Sequence, residues 1–254
     1  MATHIPADYS PAQNLLQNRV ILVTGAGDGI GRAAALSLAA HGATVVLLGK
    51  TIAKLEAVYD EIEQAGHAQP AIYPLQLGGA TLQDYEELRD ALQDEFGRLD
   101  GLLHNAGLLG QRKTIEDSSV ADWNDVINVN LTSNFLLTKA LLPLLRASDD
   151  ASIVFTSSGV GRKGRAYWGA YAVSKFGIEG LAQILADELD TTTNIRVNCM
   201  NPGATNTAMR RIAYPAENPA VNPLPEQIMV PYLYLFGPDS KGVTGQSFDA
   251  QKKK

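Results

Sequence analysis

The stretch Val20-Ile21-Leu22-Val23-Thr24-Gly25-Ala26-Gly27-Asp28-Gly29-Ile30-Gly31 leaves this chain few folds to choose from. Its β-branched start reads as a buried strand, and the segment from Arg32 to Ala40 reads as a helix. Between them, Gly25, Gly29 and Gly31 follow the spacing Gly-x-x-x-Gly-x-Gly, with Asp28 and Ile30 inside the turn. A strand, a glycine-rich turn and a helix in that order present backbone N–H groups and a helix N-terminus to a phosphate. A flexible turn without a ligand would use the same residues; the strand before it and the helix after it favour a nucleotide.

The pattern then repeats. Thr44 to Leu48 is a second apolar run, as expected of a parallel strand covered on both faces. It ends at Gly49-Lys50, about 20 residues past the glycines, where a dinucleotide-binding unit chooses its ribose. An acidic residue there would accept bonds from a 2′-hydroxyl and repel a 2′-phosphate. Lys50 instead favours the phosphorylated cofactor, NADP(H), while the carboxylate of Asp28 nearby keeps NAD(H) open. A helix from Ile52 to Gln64 and a strand from Ala71 to Leu77 follow, and Gln76 and Leu77 would lie beside an adenine ring. Residues 81–96 are amphipathic and end at Gly97. Leu102-Leu103 forms a strand that delivers His104-Asn105-Ala106-Gly107, where His104 is expected to be structural rather than a base.

Val120 to Arg146 reads as one long helix carrying four asparagines. Asn130 sits among apolar neighbours, and the other three are expected on an exposed face. The strand Ile153–Thr156 delivers Ser157-Ser158, and the loop from Gly159 to Tyr167 leads to a helix with Tyr171 and Lys175. Residues four apart share a helix face. A phenol has an ordinary pKa of about 10, and a lysine one turn away is expected to lower it by favouring the phenolate. Ser158 has no Gly-x-Ser-x-Gly elbow, which argues against a hydrolase. A sixth strand, Ile195–Cys199, precedes Asn201-Pro202-Gly203. Residues 205–225, with four prolines, read as an irregular flap over a site. A helix from Glu226 to Phe236 and a short strand near Gln246-Ser247-Phe248 follow.

Strands alternating with helices specify an α/β fold with a parallel, doubly wound sheet of about seven strands. There is no repeat or linker, so residues 1–254 read as a single domain behind a polar lead-in of residues 1–18. The 27 acidic and 21 basic residues give a net charge of −6. The only basic block, Lys252-Lys253-Lys254, reads as a solvated end, so nucleic acid is not expected as a partner. Cys199 is the sole cysteine, placed in a buried strand. With neither a secretion signal in residues 1–18 nor an apolar run of about 18 residues, a cytoplasmic protein without membrane contact is expected.

Taken together, Thr24-Gly25-x-x-x-Gly29-x-Gly31, Asn105-Ala106-Gly107, Asn130, Ser158 thirteen residues before Tyr171 with Lys175, and Pro202-Gly203 followed by Thr207 resemble the single-domain short-chain dehydrogenase/reductase family. The resemblance covers about residues 19–249. It implies a Rossmann-type fold and hydride transfer between NADP(H) and a small carbonyl or secondary alcohol, without a metal. It further implies Tyr171 as general acid or base and Lys175 as the group that holds the nicotinamide ribose and depresses the Tyr171 pKa. Ser158 would orient the carbonyl, and Asn130 would anchor a water serving Lys175. A homodimer or homotetramer through the long helices is implied as well. His104 stands where the family more often has Asn, and Gln76 where it often has Asp. The end, Phe248-Asp249-Ala250-Gln251, lacks the frequent Asp-Gly-Gly finish. Two other readings are an NAD(H)-preferring alcohol dehydrogenase and a dinucleotide-binding sensor or scaffold without turnover. Leu108, Leu109, the Gly159–Tyr167 loop and Tyr214 are expected to line the substrate pocket. Arg162, Lys163 and Arg165 read as a solvated loop or, alternatively, as an attractor for an anionic substrate.

Overall fold

The computed structural model describes residues 5–6 and 8–252. Lys253 and Lys254 of the lysine run, and residues 1–4 and 7 of the lead-in, lie outside them. Seven strands form one sheet: β1 (Val20–Thr24), β2 (Thr44–Gly49), β3 (Ala71–Pro74), β4 (Gly101–His104), β5 (Ala151–Thr156), β6 (Ile195–Asn201) and β7 (Ser247–Asp249). Their order is β3-β2-β1-β4-β5-β6-β7, and every pairing is parallel. The connections run outward in both directions from β1 and β4. That reversal opens a crevice at the C-terminal ends of the strands, where ligands bind in sheets of this kind.

The helices are α1 (Gly29–Ala40), α2 (Ile52–Gln64), α3 (Leu82–Phe96), α4 (Val120–Ile127), α5 (Ser133–Arg146), α6 (Gly169–Asp190), α7 (Ala208–Ala213) and α8 (Val230–Phe236). They cover both faces, because side chains alternate along each strand. Ile21 and Val23 join Leu38, Leu55 and Phe236 on one side, while Val20 and Leu22 join Leu88, Leu141 and Ile178 on the other. Gly101 is required where α8 crosses β4, since a Cβ there would come within 2.9 Å of the Phe236 ring. α3 starts on a reciprocal cap between Thr81 and Asp84 and stops at Gly97, whose φ of 71° is left-handed.

Several expectations need correction. α1 begins at Gly29 rather than Arg32, because Asp28 caps it: its Oδ1 accepts from Gly29 N–H at 2.7 Å. β3 ends at Pro74, so Leu75–Leu77 leave the sheet and bend over the crevice. The run Val120–Arg146 is interrupted by a π-helical turn, Asn128–Thr132. Asn134 is buried rather than exposed, and its Nδ2 donates to the Asn130 carbonyl at 2.9 Å. Residues 205–225 contain a helix, α7, capped by Thr207. α8 starts only at Val230, after a 3-10 turn at Pro225–Ile228. The lead-in is not merely polar: Leu16 is fully buried, and the Tyr9 ring meets Tyr234 edge-on at 5.0 Å.

Candidate active site

A cleft of about 620 Å³ runs along the C-terminal ends of the strands. Every catalytic and cofactor-binding residue expected from the sequence lines it except Gly31 and Asn130, which stand one layer behind. Gly31 packs so closely that a Cβ there would lie 2.2 Å from the Gly25 carbonyl oxygen and 2.5 Å from Asn105 Nδ2. Gly25 itself has a φ of 66°, and its missing Cβ leaves room for Ala106. Thr24 ties this turn to the next loop: its Oγ1 accepts from the N–H groups of Asn105 and Ala106 at 2.9 and 3.0 Å. That role was not legible from the motif, where Thr24 looks like the last residue of a strand.

Lys50 lines the same end, together with Gln76 and Leu77. Lys54, which belongs to no motif, is paired with Asp28 at 2.5 Å. The Lys54 ammonium holds the Asp28 carboxyl below the usual carboxylate range. The carboxylate that argued against a 2′-phosphate therefore carries its own cation. Lys50 and Lys54 are four apart, and that spacing was the available signal.

The other end is built on α6. Tyr171 and Lys175 share a face, and Lys175 Nζ stands 5.6 Å from the Tyr171 ring centroid. The ammonium is buried and donates to the Thr156 carbonyl at 2.7 Å. Burial lowers its pKa to about 8. The phenol departs from expectation: burial pushes Tyr171 up to about 12, opposed by a hydrogen bond with Ser158 and without a resolved contribution from Lys175. Although an edge of its ring is open to the cleft, the environment of the phenol is dry enough for desolvation to dominate. In this structure Tyr171 is thus held as a protonated acid. Ser158 opens a 3-10 turn, its Oγ accepting from Val160 N–H at 3.4 Å.

Asn130 lies in the π-helical turn and is fully buried. Its Oδ1 accepts from Leu108 N–H at 2.7 Å, while Nδ2 donates to the Leu108 carbonyl at 2.9 Å and to Ser174 Oγ at 3.0 Å. Ser174 in turn donates to the Tyr171 carbonyl at 2.8 Å. The loop after β4 is thereby fastened to α6 through Ser174, a residue that no motif marks.

Pro202 and Gly203 form the loop after β6, and Gly203 has a φ of 72°. Gln251 clamps this loop, its Nε2 donating to the carbonyls of Pro202 and Ala204 at 2.8 and 2.9 Å. Thr207 faces the glycine turn: a Cβ on Gly29 would come within 3.5 Å of Thr207 Cγ2. Leu108 and Leu109 line the cleft as expected, but the Gly159–Tyr167 loop does not. Arg162 turns away instead, bonded to Asp249 at 2.6 Å and to Ser247 and Glu179, so it anchors the last strand. Trp168 takes the loop's place on the cleft wall. Tyr214 stands behind it, at 6.0 Å between ring centroids.

His104 is structural. Its ring stacks on Phe155 at 4.6 Å, Nε2 shares a hydrogen bond with Thr138 Oγ1 at 2.8 Å, and burial lowers its pKa to about 3. Below its ordinary value of 6.5, the unfolded chain takes up a proton that the folded chain refuses. Stability contributed by neutral His104 is therefore present above pH 6.5 and lost as pH falls towards 3, by at most ~1.4 kcal/mol per pH unit. Urea unfolding at pH 7 and pH 5 is expected to show a smaller acid loss in His104→Asn than in the parent. An equal loss in both would remove His104 as the cause.

The glycine turn with α1 behind it, the cations at its β2 side, and a cleft continuing to Tyr171 fit a dinucleotide. Among the described residues no group of acidic, histidine or cysteine side chains is placed to hold a metal, and no helix is long and apolar enough to cross a membrane. A family model described as short chain dehydrogenase matches residues 19–218. The uncharacterized oxidoreductase YciK of Escherichia coli (strain K12) is 51% identical over 243 residues, covering 96% of each chain. A solved short chain dehydrogenase from Pseudomonas syringae superposes with a TM-score of 0.95 at 59% identity, covering 96% of this chain and 99% of its own. Another from Shigella flexneri 2a str. 301, complexed with NADP, has a TM-score of 0.93 at 50% identity and covers 95% of this chain and 100% of its own. On the strength of these matches and of the seven-stranded parallel sheet with its cleft, the chain belongs to the short-chain dehydrogenase/reductase family of NAD(P)-dependent oxidoreductases.

Proposed function

We propose that this protein transfers a hydride between NADP(H) and a small carbonyl or secondary alcohol, with Tyr171 as the proton donor or acceptor. The observation that carries the reading is the continuity of the cleft, which joins the glycine turn to Ser158, Tyr171 and Lys175. A bound nicotinamide would supply or accept the hydride. The chain's own part is the proton: as a carbonyl oxygen gains negative charge, the protonated phenol of Tyr171 neutralises it. Ser158, which lines the cleft beside Tyr171, orients that oxygen through its hydroxyl. Lys175 holds the ribose and keeps positive charge beside the phenolate left behind. Asn130 secures Leu108, and with it the floor of the site. The flap of residues 205–225 contributes Thr205, Thr207, Met209 and Arg210 to the cleft wall, which supports a role as a cover over the substrate.

The phosphorylated cofactor is supported by Lys50 and Lys54 beside the end of β2, and by the NADP complex of the Shigella flexneri relative. Steady-state kinetics with both cofactors test it. The parent is expected to show a kcat/KM at least about tenfold higher with NADPH than with NADH, and Lys54→Ala is expected to lose most of that ratio. A ratio near one in the parent would sink the preference while leaving the family intact.

We also read the protein as a cytoplasmic homodimer or homotetramer of a single domain. α6 turns Tyr171 and Lys175 inward, while Val173, Phe176 and Ile184 form an exposed apolar stripe on its other side, with exposed Phe135 on α5. Such a stripe is the usual mark of a contact with another chain. Sedimentation equilibrium is expected to give a multiple of 27.2 kDa for the parent and a lower multiple for Phe176→Glu. A monomer mass for the parent at micromolar concentration would exclude the assembly.

A further inference from the structure

The loop that follows β6 is held by a side chain that belongs to none of the motifs. Along the sheet, the cleft passes Lys50 after β2, the glycine turn after β1 and Ser158 after β5. It ends at Asn201, Pro202, Gly203 and Thr205 after β6. Phosphates belong at the glycine turn, so a dinucleotide laid along this edge brings its reacting ring to the β5–β6 end. The place of the loop after β6 therefore bears on where that ring stands relative to Tyr171.

The loop has little structure of its own. Residues 202–207 lie between β6 and α7 and belong to neither. Gly203 is left-handed, with a φ of 72°. A cavity of about 290 Å³ adjoins the loop, bounded by Val221, Asn222 and Pro223 of the flap, and gives it space to withdraw. Gln251 holds it in place. Its Nε2 donates to the carbonyls of Pro202 and Ala204 at 2.8 and 2.9 Å and lies 3.3 Å from Thr205 Oγ1. An amide nitrogen has two N–H groups, so the two carbonyls engage both. The amide sits directly against Gly203, where an added Cβ would come within 2.9 Å of Nε2.

Two residues earlier, Asp249 secures the start of the same loop. Its Oδ1 accepts from Asn201 Nδ2 at 2.8 Å and from Arg162 at 2.6 Å. Arg162 follows Ser158 by four residues. Asp249 and Gln251 thus tie the loop that carries Ser158 to the loop after β6. An Asp-Gly-Gly finish would keep the carboxylate and lack the amide.

We propose that Gln251 is a positioning residue for hydride transfer. By holding the carbonyls of Pro202 and Ala204, it fixes the wall against which the nicotinamide is placed. The ring then stays within reach of the carbonyl carbon whose oxygen faces Tyr171. This inference rests on the oxidoreductase reading of the cleft and adds to it a residue outside the cleft lining.

Gln251→Met tests it in the full-length protein, because methionine keeps the length of the side chain and removes both donors. Hydride transfer is read as NADPH absorbance in single turnovers with 4-nitrobenzaldehyde, cyclohexanone and ethyl acetoacetate. Affinities are measured for NADPH and for 2′,5′-ADP, its adenosine half; NADH and ADP replace them if the parent prefers NADH. The transfer rate is expected to fall about tenfold to a hundredfold, the effect of misplacing a reacting group. Affinity for 2′,5′-ADP should stay within about twofold of the parent's, since the glycine turn and Lys50 are untouched. Gln83→Met, the same substitution on α3, should leave both at the parental level. A parental rate in Gln251→Met would overturn the proposal. So would a 2′,5′-ADP affinity that falls along with the rate, which marks a general loosening of the domain. Either result leaves the oxidoreductase reading in place. If the parent turns over none of the three carbonyls with either cofactor, that reading fails instead, and binding alone decides the role of Gln251. NADPH affinity lowered at least about fivefold in Gln251→Met, with 2′,5′-ADP affinity unchanged, would support it; equal changes in the two, or none, would overturn it.

Discussion

Tyr171→Phe is expected to lower kcat/KM for carbonyl reduction by about 10²–10⁴-fold, the usual contribution of a positioned acid. The substitution removes one oxygen and leaves the ring, so the 5.7 Å packing with Trp168 and the backbone bond from Ser174 are retained. The melting temperature should therefore move little. Dinucleotide affinity, read by NADPH fluorescence, should also stay close to the parent, because the glycine turn and Lys175 are untouched. This combination separates loss of chemistry from loss of the site. Because burial pushes the Tyr171 phenol up to about 12, it stays protonated throughout the neutral range and is ready to donate. Turnover near the parental rate in the Phe variant would refute Tyr171 as the acid.

The second large effect concerns Gly31→Ala. The added Cβ would lie 2.2 Å from the Gly25 carbonyl oxygen, a backbone atom with no rotamer to escape by, and 2.5 Å from Asn105 Nδ2. Either α1 moves off the sheet or the turn opens. Overpacking of this kind destabilises by ~1–3 kcal/mol or more, which for a chain of this size lowers Tm by ~2–4 °C per kcal/mol. Opening the turn also misdirects its N–H groups, so NADPH affinity should fall at least about tenfold. Gly180→Ala serves as the control, since nothing lies within 4 Å of its added Cβ on α6 and alanine is the better helix former. Thermal unfolding and NADPH titration of the two variants check the contrast. Parental affinity in Gly31→Ala would mean that the turn does not cradle the phosphates.

Much of the fold is legible in the sequence because its signals are local. Val20–Val23 and Thr44–Leu48 are apolar runs of strand length, and Ile52–Gln64 has the bounds its periodicity predicts. The misplacements have local causes that a pattern read residue by residue underweights. The cap at Asp28 moves the start of α1 to Gly29, and the edge position of β3 lets it end at Pro74. Four asparagines on one apparent helix look alike in sequence. The π-helical turn sorts them, burying Asn130 and Asn134 and leaving Asn124 and Asn128 exposed.

The site divides in the same way. Glycine spacing, the Tyr171–Lys175 interval and the order of strand ends determined by themselves which residues would gather at one edge of the sheet, because helix and strand periodicity carry that information. Only the tertiary structure decided what each long side chain meets there. It sends Arg162 to Asp249, 87 residues on, sets Arg112 beside the Trp168 and Tyr214 rings, and lays Gln251 across the Pro202–Thr205 loop. It also reversed the expected shift of Tyr171. The sign of a pKa shift depends on the balance between desolvation and charge, and desolvation is set by elements that pack over the residue from distant parts of the chain.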